Sequence, residues 1–179
     1  NAFCNCSSLT SITIPNSVTK IGDRAFVNCG SLTSVVIPDS VTSIGEAAFY
    51  RCISLSSITI PDSVTLIDEN AFQNCGNLET VTIGDNVIEI GNSAFFQCTD
   101  LTTVTIGKSI SKIGYSAFSY CGSLRDVYCK ATVPPTGGNN MFDGNASGRK
   151  IYVPMESVEA YQTGYLWNVY AADIIGYNF

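Results

Sequence analysis

Apolar residues recur along this chain at fixed offsets. Phe3, Phe26, Phe49, Phe72, Phe95 and Phe118 stand 23 residues apart, each preceded by an alanine. Leu9, Leu32, Leu55, Leu78, Leu101 and Leu124 keep the same step, as do Ile12, Val35, Ile58, Val81, Val104 and Val127. Ile12-Thr13-Ile14 and its copies alternate apolar with polar, the period of a half-buried strand. Pro15, Pro38 and Pro61, then Gly84 and Gly107, follow directly, and Pro or Gly there ends the strand and turns the chain. Val18, Ile21 and their copies predict a second short extended segment. Gly22, Gly45, Gly91 and Gly114 open the next corner, with Asp68 in the third unit. Ala-Phe-x-x-Cys is too short for a free helix and predicts a single helical or 3₁₀ turn.

One such unit buries too few apolar side chains to offset the entropy of ordering it, so the units must stack. The expectation is an α/β solenoid: a right-handed coil with parallel strands on one face, short 3₁₀ or helical turns and a C-terminal α+β cap. Rungs ~4.8 Å apart would give six units a length of roughly 29 Å. The period covers residues 1–138, and residues 139–179 depart from it as the cap of one continuous domain. The sixth unit is degenerate: Cys129 stands in the Ile106 row, Lys130 in the turn row and Thr136 in the last Ile row. Met141-Phe142 imitates Ala-Phe one residue late, and Lys150–Pro154 imitates the strand and its stop. Ser157 is predicted to N-cap a short helix through Val158 and Tyr161. Tyr165, Leu166, Trp167, Tyr170, Ile174 and Ile175 are predicted to form a lid on the last rung.

The L-x-x-[IV]-x-I core resembles a leucine-rich repeat. Ala25-Phe26, Cys29, Ser31-Leu32, Val35, Ile37-Pro38, Ser40-Val41 and Ile44-Gly45 match the BspA-like, or Treponema-type, leucine-rich-repeat family position by position. The tail, with Val133-Pro134-Pro135, Phe142-Asp143-Gly144, Ile151-Tyr152-Val153-Pro154 and Ser157-Val158-Glu159-Ala160-Tyr161, resembles the C-terminal cap of that family. The resemblance implies a bacterial surface or secreted protein that binds host or neighbouring-cell macromolecules.

Composition narrows the chemistry. The chain has 179 residues, 45% hydrophobic and 11% aromatic, which excludes disorder. Charged residues are only 13%, so the surface is built largely from Ser, Thr, Asn and Gly. The net charge of −6 is opposite to the basic stripe that nucleic acid requires. No apolar run approaches the ~18 residues of a membrane span, so membrane insertion is not expected. There is no histidine, which removes Ser–His and Cys–His catalysis and His-ligated metals; no enzyme activity and no cofactor are predicted.

Cys6, Cys29, Cys52, Cys75, Cys98 and Cys121 share the 23-residue step. Stacking in register sets their Cβ atoms ~4.8 Å apart, beyond the reach of a disulfide, so they are read as a structural ladder of buried reduced thiols. Cys4 is off the ladder near the open end and is expected to be exposed. Cys129 is read as a core thiol, with a bridge to Cys121 as the alternative. The row Asn16, Asp39, Asp62, Asp85 and Lys108 suggests calcium, but Pro-Asp-Ser corner chemistry accounts for it better. Gly107-Lys108-Ser109 matches only the end of a phosphate-binding loop, whose first glycine would fall at Thr102. Asn5-Cys6-Ser7 and Asn145-Ala146-Ser147 fit the glycosylation sequon.

The outward strand row runs Thr13, Val36, Thr59, Thr82, Thr105 and Tyr128, beside Ser11, Ser34, Ser57, Thr80, Thr103 and Asp126. This Ser/Thr surface turns charged and aromatic near the cap. Tyr128, Arg125, Asp126 and Glu79 are the predicted anchors of a binding face, with Thr105, Thr82 and Thr59 beside them, since Tyr and Arg dominate interaction hot spots. Thr also simply favours strands. A further set of outward aromatics, Tyr50, Phe96, Tyr115 and Tyr120, lies off this face. The favoured reading is a non-enzymatic cell-surface or secreted adhesion module for extracellular proteins or glycans. An inert spacer and an intracellular interaction scaffold are the alternatives. Asn1 enters in mid-unit without Met or signal peptide, so a longer array is expected, with self-association at the open first rung.

Overall fold

The computed structural model describes residues 1–179, and the chain winds through seven stacked coils. The first coil contains β1 (Ser11–Thr13) and β2 (Lys20–Ile21), the second β3 (Ser34–Val36) and β4 (Ser43–Ile44), the third β5 (Ser57–Ile60) and β6 (Leu66–Ile67). The fourth carries β7 (Thr80–Ile83) and β8 (Glu89–Ile90), the fifth β9 (Thr103–Ile106) and β10 (Lys112–Ile113), the sixth β11 (Asp126–Cys129) and β12 (Thr136–Gly137). The seventh contributes β13 (Lys150–Pro154). Every pairing is parallel and between neighbouring coils, as in Thr80↔Thr103 and Asp126↔Thr103. The long strands form one face. The short ones form a second sheet ordered β12-β10-β8-β6-β4-β2.

The strand pattern explains its own breaks. β1 and β3 form a separate pair, whereas β5, β7 and β9 are one residue longer and join the main sheet. Proline lacks a backbone N–H, so Pro38 and Pro61 cannot extend the ladder. Gly84 can, and its N–H donates to the Ile60 carbonyl at 2.9 Å. A Cβ at Gly107 would stand 2.2 Å from the Gly84 carbonyl oxygen, so close approach of the coils requires glycine there.

The Ala-Phe-x-x-Cys corner differs from the predicted helical turn. The 3₁₀-type bonds are present: Ala25 and Cys29 donate to the carbonyls of Gly22 and Phe26 at 3.2 Å. Between them, Arg24, Phe26 and Asn28 donate instead to Glu46, Ala48 and Tyr50 of the next coil at 2.7–2.8 Å. Arg24 (φ 54°) and Asn28 (φ 58°) are left-handed, and so are their copies in later coils, so no helix propagates. The corner is a third inter-coil ladder.

The core runs the length of the coil. Phenylalanine rings stack from Phe3 to Phe142 with centroids 5.0–5.5 Å apart. Cys29, Cys52, Cys75, Cys98 and Cys121 are free and buried. Each donates its Sγ–H to the carbonyl of a phenylalanine in the preceding coil, at 3.1–3.3 Å. The ladder is therefore hydrogen-bonded as well as packed. Cys6, in the first coil, departs from the expectation: it is exposed. Cys4 is half-buried rather than exposed. Cys129 is a buried core thiol 3.3 Å from the Tyr161 hydroxyl, and it is not bridged to Cys121.

Register slips once. Cys129 pairs with Ile106, 23 residues earlier, but Gly137 pairs with Ile113, 24 earlier. The extra residue lies between Cys129 and Thr136, around Val133-Pro134-Pro135. Gly137 takes the place of the last apolar residue of the coil, and the Met141 side chain fills the space, its Cε 2.7 Å from where a Cβ would stand.

After β13 come a 3₁₀ turn (Met155–Ser157), α1 (Val158–Thr163), a second 3₁₀ segment (Asn168–Asp173) and β14 (Ile174–Tyr177), which pairs with β13. Ser157 precedes α1 but does not cap it; its hydroxyl donates to the Thr132 carbonyl at 2.8 Å and ties the helix to the sixth coil. Trp167, Tyr170, Ile174 and Tyr161 form the lid. Tyr165, 84% exposed, and Ile175 are not part of it. Trp167 Nε1 donates to the Pro135 carbonyl at 2.7 Å, and the Tyr161 hydroxyl to that of Ala131 at 2.9 Å. Arg149 is buried beneath Tyr170 and pairs with Asp173 at 2.6 Å.

Candidate functional site

The long-strand face is flat because successive coils pair residue for residue. Outward residues therefore line up as Thr59↔Thr82, Thr82↔Thr105, Thr105↔Tyr128 and Tyr128↔Tyr152. Thr59 and Thr82 are exposed, and Thr105 is half-buried. At the cap end the row becomes aromatic. Tyr128 and Tyr152 stack with centroids 4.6 Å apart and ring planes within 12°. Tyr177, carried round by β14, meets both edge-on at 5.4 and 5.6 Å, and Phe179 abuts Tyr177 at 5.1 Å.

Charged side chains flank this cluster. Asp126 lies in register with Thr103 on one side and Lys150 on the other. Arg125 is exposed one residue before it, and its carbonyl accepts the Lys150 N–H at 2.7 Å. The five ion pairs of the molecule all lie elsewhere, so Arg125, Asp126, Lys150 and Glu79 form no ion pair. Desolvation by the neighbouring rings, and then the Asp126 carboxylate, raise the Tyr128 and Tyr152 hydroxyls above their ordinary range.

The structure brings Tyr128, Arg125 and Asp126 together. Glu79 stands two coils away, in the row of Thr102 and Arg125, outside the tyrosine cluster. Sequence reasoning did not place Lys150, Tyr152, Tyr177 and Phe179 in the site. The strand imitation at Lys150–Pro154 already put Tyr152 in the Tyr128 row. Tyr177 carried no such signal, because its position depends on β14 returning to the sheet.

Other candidates have structural explanations. Asp62 Oδ1 accepts the Asp85 N–H at 2.6 Å, so this row hydrogen-bonds coil to coil. The Asn145 side-chain amide donates to the Phe118 carbonyl at 2.8 Å and the Cys121 carbonyl at 3.3 Å, which commits its nitrogen inward. At the first coil, Phe3, Ile12, Ile14 and Val18 border an open apolar recess of about 520 Å³. No helix is long and apolar enough to cross a membrane.

Comparison with known proteins agrees with this geometry. The chain is similar to a leucine-rich cell surface protein of Faecalibacterium prausnitzii, with 38% identity over 87% of this chain and a TM-score of 0.73. It spans only 41% of that protein's length. It is also similar to a leucine-rich-repeat protein of Treponema pallidum, at 26% identity over 74% of this chain and 70% of that one, with a TM-score of 0.65. The pneumococcal vaccine antigen PcpA shares the fold, at 20% identity over 96% of this chain and 42% of that one, with a TM-score of 0.70. A search of curated proteins gives no match. The model of the BspA type leucine rich repeat region matches residues 1–125 in six copies, and the chain belongs to that family.

Proposed function

We propose that this chain is a non-enzymatic binding module of the bacterial cell surface, and that it adheres to extracellular proteins through the cap end of its long-strand face. The observation that carries the reading is the cluster of Tyr128, Tyr152 and Tyr177 beside the unpaired charges of Arg125, Asp126 and Lys150. Aromatic and Arg side chains at the centre of a patch, with charges free of ion pairs around them, have the make-up of an interaction hot spot. Tyr128 and Tyr152 cover each other's faces, which leaves ring edges and hydroxyls for a partner and suits a protein surface better than a sugar ring. The cell-surface setting follows the description of the Faecalibacterium protein.

The test compares the chain with an Arg125→Ala/Tyr177→Ala variant against immobilised extracellular-matrix and epithelial surface proteins. Neither side chain is in the coil core, so circular dichroism and Tm should be close to those of the parent. Saturable binding weakened at least about tenfold, equivalent to about 1.4 kcal/mol, supports the site. Binding that the variant retains moves the site to another face. No binding to any of these proteins favours the spacer reading, which the uniform Ser/Thr surface of the earlier coils supports.

A further inference from the structure

The left-handed corner has the same backbone in successive coils, so its outward side chains can be compared row by row. Over most of its length those side chains are small or polar, with Tyr50 a lone aromatic in the third unit. Across the fifth and sixth units three aromatic residues appear instead: Phe96, Tyr115 and Tyr120. Phe96 and Tyr120 meet edge to face at 5.4 Å, and Tyr115 and Tyr120 are 50% and 58% exposed.

Tyr120 is the informative residue. It is left-handed, with φ 57°, the one aromatic residue in a row that otherwise holds Asn5, Asn28, Arg51, Asn74 and Gln97. Asparagine tolerates this conformation, while a bulky side chain is disfavoured there. A ring left mostly in water recovers little of that strain by burial. A strained, exposed aromatic residue that folding does not require points to a ligand.

Two recesses meet at this ring. One, of about 400 Å³, lies among Phe96, Tyr115, Ser116 and Asn140. The other, of about 480 Å³, lies over Phe142 and Tyr170. Tyr120 and Asp143 border both. Gly144 makes room for the ring, since a Cβ there would stand 2.9 Å from Tyr120 Cδ1. The only cation beside the recesses, Arg149, is taken up by Asp173, the Phe142 carbonyl and Asn145. The exposed Asp143 carboxylate disfavours an anionic ligand. Two open recesses side by side suit an extended ligand rather than a point cation enclosed in a cage.

We propose that this trough is a saccharide-binding site, distinct from the strand face, that takes a neutral oligosaccharide. Apolar C–H faces of the sugar rings lie on Tyr115 and Tyr120, and ring hydroxyls are bound by Asp143 and Asn140. The pairing of exposed aromatic rings with a few polar groups is what such a ligand requires.

The experiment screens the chain on an array of neutral chitin-, xylan-, starch- and mucin-type oligosaccharides, and then titrates the best binder. Tyr120→Asn installs the residue found elsewhere in the same row. The expected result is saturable binding that Tyr120→Asn weakens at least about tenfold, with Tm unchanged or raised. Binding should persist in Arg125→Ala/Tyr177→Ala, which separates this site from the strand face. Three results overturn the proposal: no binding to any of these glycans at millimolar concentration, binding indifferent to Tyr120→Asn, or a Tm lowered by several degrees. The last would make Tyr120 a packing residue.

Discussion

The ladder thiols answer at the scale of one residue what a cysteine does in this core. Each accepts burial because its S–H has a carbonyl to meet, as Cys75 meets Phe49 at 3.2 Å. Burial raises the pKa values of Cys29, Cys75, Cys98 and Cys129 and pushes Cys52 up to about 12, against an ordinary 9.0. Unfolded thiols release their protons near 9.0, while the folded ones retain them. Above that pH the unfolded state binds fewer protons, so stability falls as pH rises; below it both states are protonated and the thiols add no pH dependence. Each protected thiol contributes about 1.4 kcal/mol per pH unit to the decline. Urea midpoints should therefore hold level with respect to these groups to about pH 8 and drop steeply above about pH 9. Cys75→Ala should lower neutral-pH stability by about 1–2 kcal/mol and make the alkaline slope shallower by about 1.4 kcal/mol per pH unit. An unchanged slope would sink this account.

At the scale of the element, strand and corner differ in how they are written into the chain. The strands were legible, because alternation with Pro or Gly behind it has a single meaning for a stacked coil. The left-handed corner was not, because its rows mix Asn with Arg, Ala, Ser and Gln, so no single residue type marked it. The cysteine ladder was legible from its period, but its hydrogen bonds to phenylalanine carbonyls were not. In the candidate site, Tyr128, Arg125 and Asp126 were legible as the last members of outward rows. Tyr177 and Phe179 were not, since only the tertiary return of β14 brings them there. The corner makes a prediction of its own. Gln97 is exposed and left-handed, with φ 58°. Gln97→Asn should raise stability by roughly 0.5 kcal/mol in chemical denaturation, because asparagine relieves part of the left-handed cost. Gly107→Ala should lower it by about 2–3 kcal/mol, since the new Cβ meets backbone that cannot move without parting two coils. A loss of stability in Gln97→Asn would overturn the left-handed corner geometry, and a gain in Gly107→Ala would overturn the close approach of coils at the end of the long strand.

For the whole molecule, the consequence of stacking is that each coil is held mainly by its neighbours. The last coil lacks a successor, and the cap supplies one in different chemistry. Trp167 and Tyr170 close the phenylalanine stack, with ring centroids 6.0 and 5.6 Å from Phe142. Trp167 also meets Tyr161 edge-on at 4.8 Å and satisfies the Pro135 carbonyl beside the inserted residue. Trp167→Ala would remove these contacts together and leave that carbonyl under the lid without its donor. The expected loss is about 3–5 kcal/mol, and nearest-neighbour coupling determines where it falls. Amides of β11, β12 and β13 should lose hydrogen-exchange protection first, while those of β5 and β7, several coils away, should retain most of theirs. Such graded loss would show that the cap stabilises the array locally, from one end. Equal loss in every coil would show instead that the solenoid unfolds as one cooperative unit, and that the lid sets the stability of the distant coils as well as the binding face beside it.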